Sequence, residues 1–210
     1  MEKNMIALLV AVLILACLNL SAQGEFVVFD GKDAVKGQTW ADPKDSVAFG
    51  LSTVKPCTGK SSHLDLNAKW SNWWAGGGWN WHGWYDTDAS PGDDISSYDD
   101  LSLSICLYSG SIKDLWIQLV DTANKSTSMI KLKESGTADS FGAEYKTVAI
   151  PLSKFDMTGF NKKNVWGINF GIIPQTQAGE CRIFIGKIEF LKKLPAPIPV
   201  SVPASVPAVK

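Results

Sequence analysis

Histidine, cysteine, excess charge and helical periodicity are all scarce in this chain, and each scarcity closes off a class of function. The only histidines are His63 and His82, and the four cysteines are Cys17, Cys57, Cys106 and Cys181. The histidines are not spaced as HExxH and the cysteines form no CxxC pair, so no zinc-site pattern is present. Twenty Lys and Arg balance 21 Asp and Glu, for a net charge of -1. A nucleic acid or an anionic membrane surface would call for a basic patch, and none is visible. No segment keeps helical period for three turns, and no repeat of fixed length appears. A transmembrane segment is missing too. The long apolar run, Met5 to Leu18, follows Lys3 and reaches small residues at Ser21 and Ala22. It is too short and wrongly flanked for a span and reads as a secretory signal cut after Ala22. The protein is therefore expected to be secreted or held at the cell surface. An alternative export signal lies in Ile14-Leu15-Ala16-Cys17, which loosely resembles a lipobox and would make Cys17 a lipidated N-terminus. The apolar residues Leu18 to Leu20 after it favour the cut at Ala22.

What is present divides the chain simply. Residues 1–22 are the predicted signal peptide. At the other end Pro195, Pro197, Pro199, Pro203 and Pro207 alternate with Ala, Val and Ser, so residues 195–210 are a solvated, extended tail or linker. Such a tail could tether the protein to a surface or to an enzyme complex. Residues 23–194 suit one domain with a sizeable core. The exported chain keeps Cys57, Cys106 and Cys181, an odd number. Cys106 opposes its strand's leucines in parity and is expected to be unpaired, so any disulfide is expected to join Cys57 to Cys181, both near strand ends.

Alternation with period two runs through most of the domain. Leu64, Leu66, Ala68 and Trp70 alternate with His63, Asp65, Asn67 and Lys69; Leu101, Leu103, Ile105 and Leu107 with Ser102, Ser104, Cys106 and Tyr108; Leu115, Ile117 and Leu119 with Trp116, Gln118 and Val120. Further strands are predicted at 26–30, 47–53, 75–84, 128–132, 146–151, 165–172 and 182–190, separated by turn residues such as Ser90-Pro91-Gly92 and Ala178-Gly179. The fold class is all-β, a two-sheet antiparallel β-sandwich.

Trp70, Trp73, Trp74, Trp79, Trp81 and Trp84 crowd one short stretch around Gly76-Gly77-Gly78. That is more indole than one core face can absorb, so some rings face outward. Trp74 shares the parity of Gly76 and Gly78, a slot that a sugar ring could enter, whereas Trp79 or Trp81 is core. Trp116 and Gln118 share the non-core parity of their strand. Aromatic planes beside amides suit a pyranose, whose apolar face stacks while its hydroxyls take hydrogen bonds.

Glycoside hydrolysis would need two carboxylates held across a cleft. Asp65, Asp121, Glu144 and Glu189 could supply a pair, but no local pattern selects any two. The acidic stretch Asp86, Asp88, Asp93, Asp94, Asp99 and Asp100 lacks the glycine and glutamate of a calcium loop and reads as solvated turn. Asn124-Lys125-Ser126 fits a glycosylation acceptor.

Five segments, in order, then resemble a known family: residues 59–64, 94–103, 148–155, 165–170 and 183–190. They look like the successive signatures of galactose-binding-like jelly-roll carbohydrate-binding modules, nearest to the β-glucan-binding family 11. The resemblance spans nearly all of residues 26–191 and implies a non-enzymatic polysaccharide binder, most naturally of a β-glucan or related plant cell-wall glycan, on a concave sheet. It places the family's aromatic on Trp74 with a polar partner at Asn72, a late-strand polar residue on Asn169, and a loop aromatic on Phe160. With Trp116 and Gln118 from parity, these six residues form the predicted binding set. Ile172 and Trp166 depart from the family's tyrosine and carboxylate, so the ligand's identity does not carry over. No cofactor is required. A structural calcium is the one metal implied, with Asp30 matching its first-strand acid and Gly186-Lys187 replacing the usual Asp-Asn. The reading from a different class is a structural or adhesive surface protein that binds another protein through the same sandwich.

Overall fold

A computed structural model of the chain describes residues 24–31, 37–54, 62–83 and 92–193. The predicted signal, Cys17, Cys57, Trp84 and the Pro-rich tail lie outside the described residues.

Among the described residues eleven strands follow one another: β1 (Glu25–Phe29), β2 (Gln38–Asp42), β3 (Val47–Ser52), β4 (His63–Trp70), β5 (Ala75–Asn80), β6 (Asp100–Gly110), β7 (Ile112–Asp121), β8 (Ile130–Lys131), β9 (Lys146–Pro151), β10 (Val165–Pro174) and β11 (Gly179–Leu191), with a 3-10 turn at Leu152–Lys154. They form two antiparallel sheets. One runs β3-β4-β11-β6-β9 with β1 also on β11; the other runs β2-β5-β10-β7-β8. The chain is a jelly-roll β-sandwich.

The core lies between the sheets and is built by the alternation visible in the sequence. Leu64, Leu66, Leu101, Leu103 and Ile185 from the first sheet meet Leu115, Ile117, Leu119, Ile168 and Phe170 from the second, all fully buried. Burying each such side chain contributes about 1.5 to 3 kcal/mol. The long strand β11 shifts its register on β6 at a bulge between Ile185 and Lys187, which lets Ile185 and Ile188 both point inward although they are not of one parity. The strand expected over 75–84 ends at Asn80, and β2 was not expected at all.

The predicted Cys57–Cys181 disulfide is corrected: Cys181 is a buried thiol inside the core cluster, and Cys106 is likewise a buried thiol. Cys181 points between the sheets, which removes it from the strand-end surface where a bridge was expected. Burial pushes its thiol up to about 12.

Candidate functional site

The outer face of the β2-β5-β10-β7-β8 sheet carries the chemistry. Strand register sets its side chains in two rows across the sheet. In one, Trp40, Gly78, Asn169 and Gln118 are consecutive cross-strand partners. In the next, Asp42, Gly76, Gly171, Trp116 and Lys131 stand side by side.

The glycines are a floor for the protein's own indoles. A Cβ on Gly171 would lie 1.9 Å from Cε2 of Trp116, one on Gly76 3.2 Å from Cη2 of Trp74, and one on Gly78 2.2 Å from Nε1 of Trp40. The slot expected at Gly76 and Gly78 is therefore filled by tryptophan. Without side chains beneath them, the rings lie across the sheet and do not stand up from it. Trp74 stacks on Trp116 with ring centroids 5.7 Å apart and planes 21° from parallel. This cover leaves Trp116 only 7 % exposed, although it lies on the face opposite Leu115, Ile117 and Leu119.

Hydrogen bonds fix the platform. The Nε1–H of Trp74 donates to Oδ2 of Asp42 at 2.5 Å, and that of Trp40 to Oδ1 of Asn169 at 3.1 Å. Gln118 donates its amide to the carbonyl of Thr127 at 2.9 Å. Asn169 thus spends its oxygen and Gln118 its NH2 within the protein. Both residues are half-buried, and the groups left over, the NH2 of Asn169 and the oxygen of Gln118, are a donor and an acceptor of the kind a sugar hydroxyl takes.

Where β10 ends and β7 begins, the sheet adds a cleft of about 460 Å³ lined by Trp73, Trp74, Lys113, Trp116, Ile172, Ile173, Pro174 and Gln175. Trp73 is 55 % exposed and holds a left-handed backbone, φ 58°. That conformation costs a bulky residue about 1 to 3 kcal/mol.

The structure thus brings together Trp74, Trp116, Gln118 and Asn169. Asn72 is exposed in the bend between β4 and β5, next to Trp73. Phe160 is a correction: it is 9 % exposed and packs in the core cluster, because the turn from Met157 to Phe160 folds the ring inward. Trp79 and Trp81 are both core. Sequence reasoning missed Trp40, Asp42 and Trp73. The signal for the first two was their shared parity in Gln38-Thr39-Trp40-Ala41-Asp42, too short and too poor in large apolar residues to read as a strand.

Asp30 follows β1, and among the described residues no three carboxylate, imidazole or thiol groups converge where they could hold a metal ion. Lys187 brings an ammonium to the last strand, ion-paired with Glu189.

Of the four carboxylates that could supply a hydrolytic pair, Glu144 is exposed and the other three are engaged in the fold. Asp65 holds Arg182 through Nε and Nη2, Asp121 accepts from the backbone N–H of Ala123, Lys125 and Asn161, and Glu189 accepts from Ser102 as well as Lys187. Asp93, from the acidic stretch, accepts from Trp81 Nε1 and bonds His82 Nε2, both at 2.7 Å.

No protein-family profile matches the chain, and no curated protein matches it. Solved structures do. A family 11 carbohydrate-binding module from Clostridium thermocellum, in complex with a β-1,3-1,4-mixed-linked tetrasaccharide, superposes with a TM-score of 0.56 at 15 % identity, covering 83 % of this chain and 99 % of that one. A family 30 module of a cellulosomal cellulase of Clostridium thermocellum gives 0.61 at 17 % identity, covering 81 % and 98 %. A β-1,2-glucanase from Parabacteroides distasonis gives 0.55 at 16 % identity over 82 % of this chain but only 26 % of the enzyme. The fold of this chain is the jelly roll of family 11 and family 30 carbohydrate-binding modules.

Proposed function

We propose that the chain is a non-catalytic polysaccharide-binding protein whose ligand is a β-glucan or a related plant cell-wall glycan. The observation that carries this reading is the platform itself: Trp40 and Trp74, half-buried on a glycine floor, beside the amides of Asn169 and Gln118. Flat rings offer C–H stacking and the fixed amides offer one donor and one acceptor at the ring's edge. The mixed-linked tetrasaccharide held by the family 11 neighbour supports the choice of ligand class. Engagement of Asp65, Asp121 and Glu189 in the fold supports binding without bond cleavage. The protein works after export, and its Pro-rich tail tethers it to a surface or an enzyme complex. No helix among the described residues is long and apolar enough to cross a membrane.

Native affinity electrophoresis through gels containing soluble β-glucans, xyloglucan, xylan or mannan tests the proposal. Retardation by at least one β-glucan is expected, and migration unchanged in every gel would refute it.

A further inference from the structure

Trp73 combines a left-handed backbone with an exposed ring that packs in no core. Its backbone sits at φ 58°, where a bulky side chain is rarely found, and its ring is 55 % exposed and outside the core cluster. The surrounding loops nevertheless fasten it. Trp73 donates its N–H to the carbonyl of Gln177 at 3.2 Å, Trp70 Nε1 donates to the carbonyl of Thr176 at 3.1 Å, and Gln175 donates its amide to the carbonyl of Ile112 at 3.2 Å. The loops after β4 and β10 and the start of β7 are thereby tied together, with Trp73 as a wall of the cleft it shares with Trp74 and Trp116. Backbone strain of this kind clusters at ligand clamps, and here it holds an exposed aromatic beside a cleft.

We infer that Trp73 is the outer wall of an additional sugar subsite, in which the cleft takes one pyranose ring beyond those resting on Trp40 and Trp74. The ring stacks its C–H face on Trp73. Its hydroxyls meet the Lys113 ammonium as donor and the Gln175 side-chain oxygen as acceptor, the Gln175 NH2 being spent on Ile112. The subsite rests on the polysaccharide-binding reading and extends it: affinity should grow with chain length until the cleft is filled.

The test uses Trp73→Gly and Trp73→Phe with mixed-linked β-glucan oligosaccharides of increasing length, read by calorimetric titration and thermal melting. Glycine relieves the left-handed strain, so Trp73→Gly should melt at or above the parent. It should lose about tenfold to a hundredfold in affinity for long oligosaccharides while binding short ones as the parent does. Trp73→Phe should recover much of the loss. Unchanged affinity at every length in Trp73→Gly, while Trp74→Ala loses binding, would overturn the subsite and leave the platform standing. A lowered melting point with affinity lost equally at all lengths would assign Trp73 a structural role instead. A parent that binds none of the oligosaccharides would remove platform and subsite together.

Discussion

Trp116 and Gly171 are a matched pair: the indole occupies the volume that any side chain at 171 would need. Gly171→Ala puts a methyl 1.9 Å from the ring, so Trp116 must leave the floor and carry Trp74 with it. Overpacking of this kind costs about 1 to 3 kcal/mol. A lower melting point together with loss of glucan binding is expected. Gly50→Ala is the control, since its Cβ meets nothing within 4 Å. It should stay within about 0.5 kcal/mol of the parent by chemical denaturation. His63 makes a second residue-scale case, on the other sheet. It is fully buried with neither ring nitrogen hydrogen-bonded among the described residues, and Phe184 packs on it at 4.0 Å. Burial holds its pKa below the ordinary 6.5, opposed by nearby Asp65 and reinforced by Arg182. The unfolded chain therefore binds the His63 proton more readily than the folded one. Stability from this residue is complete above pH 6.5 and falls as the pH drops through the folded value. Urea midpoints measured across that window should decline toward acid, and His63→Phe should flatten the decline. A variant as steep as the parent would assign the slope to other groups. Cys181, pushed up to about 12, is expected to resist alkylation at pH 8 until the protein is unfolded, which peptide mapping of native and denatured samples can read.

Strands differ in how plainly their residues announce them. β4, β6 and β7 face a core on one side over eight or more residues, and that length makes the alternation unmistakable. β2 is a five-residue edge strand that sends only the small Ala41 against the core and leaves Thr39 exposed; its large residue, Trp40, points outward to Asn169. Its existence depends on pairing with the glycines of β5, a tertiary cause that local pattern cannot express. The same cause hid Trp40 and Asp42. Parity put Trp116 and Gln118 on one face and placed Trp74 beside the glycines, and the resemblance added Asn169, but the second indole that fills the glycine slot, Trp40, comes from β2. Phe160 was misplaced for a related reason: a loop aromatic carries no periodicity to say which way it turns. Core strands and edge strands should also differ in sensitivity. Ile185→Ala, on the central β11, is expected to cost about 2 to 5 kcal/mol, whereas Thr39→Ala on β2 should cost far less in the same denaturant series. Equal losses would mean that β2 is as integral to the core as β11.

At the scale of the whole molecule, the two sheets divide the work. Their facing sides supply a continuous core, and the outer side of the β2-β5-β10-β7-β8 sheet carries the aromatic platform. Binding that rests on rings and amides needs no metal, so glucan binding is expected to survive exhaustive chelation, whereas a loss restored by calcium would show that the site depends on the ion. The most direct test of the central claim is calorimetric titration of mixed-linked β-glucan into the parent and Trp74→Ala, each checked by thermal melting. The half-buried Trp74 ring lies on top of the platform, so its removal should weaken binding by about 1 to 3 kcal/mol, roughly tenfold to a hundredfold or somewhat more, with little change in melting point. Equal affinity in the two proteins would contradict the account.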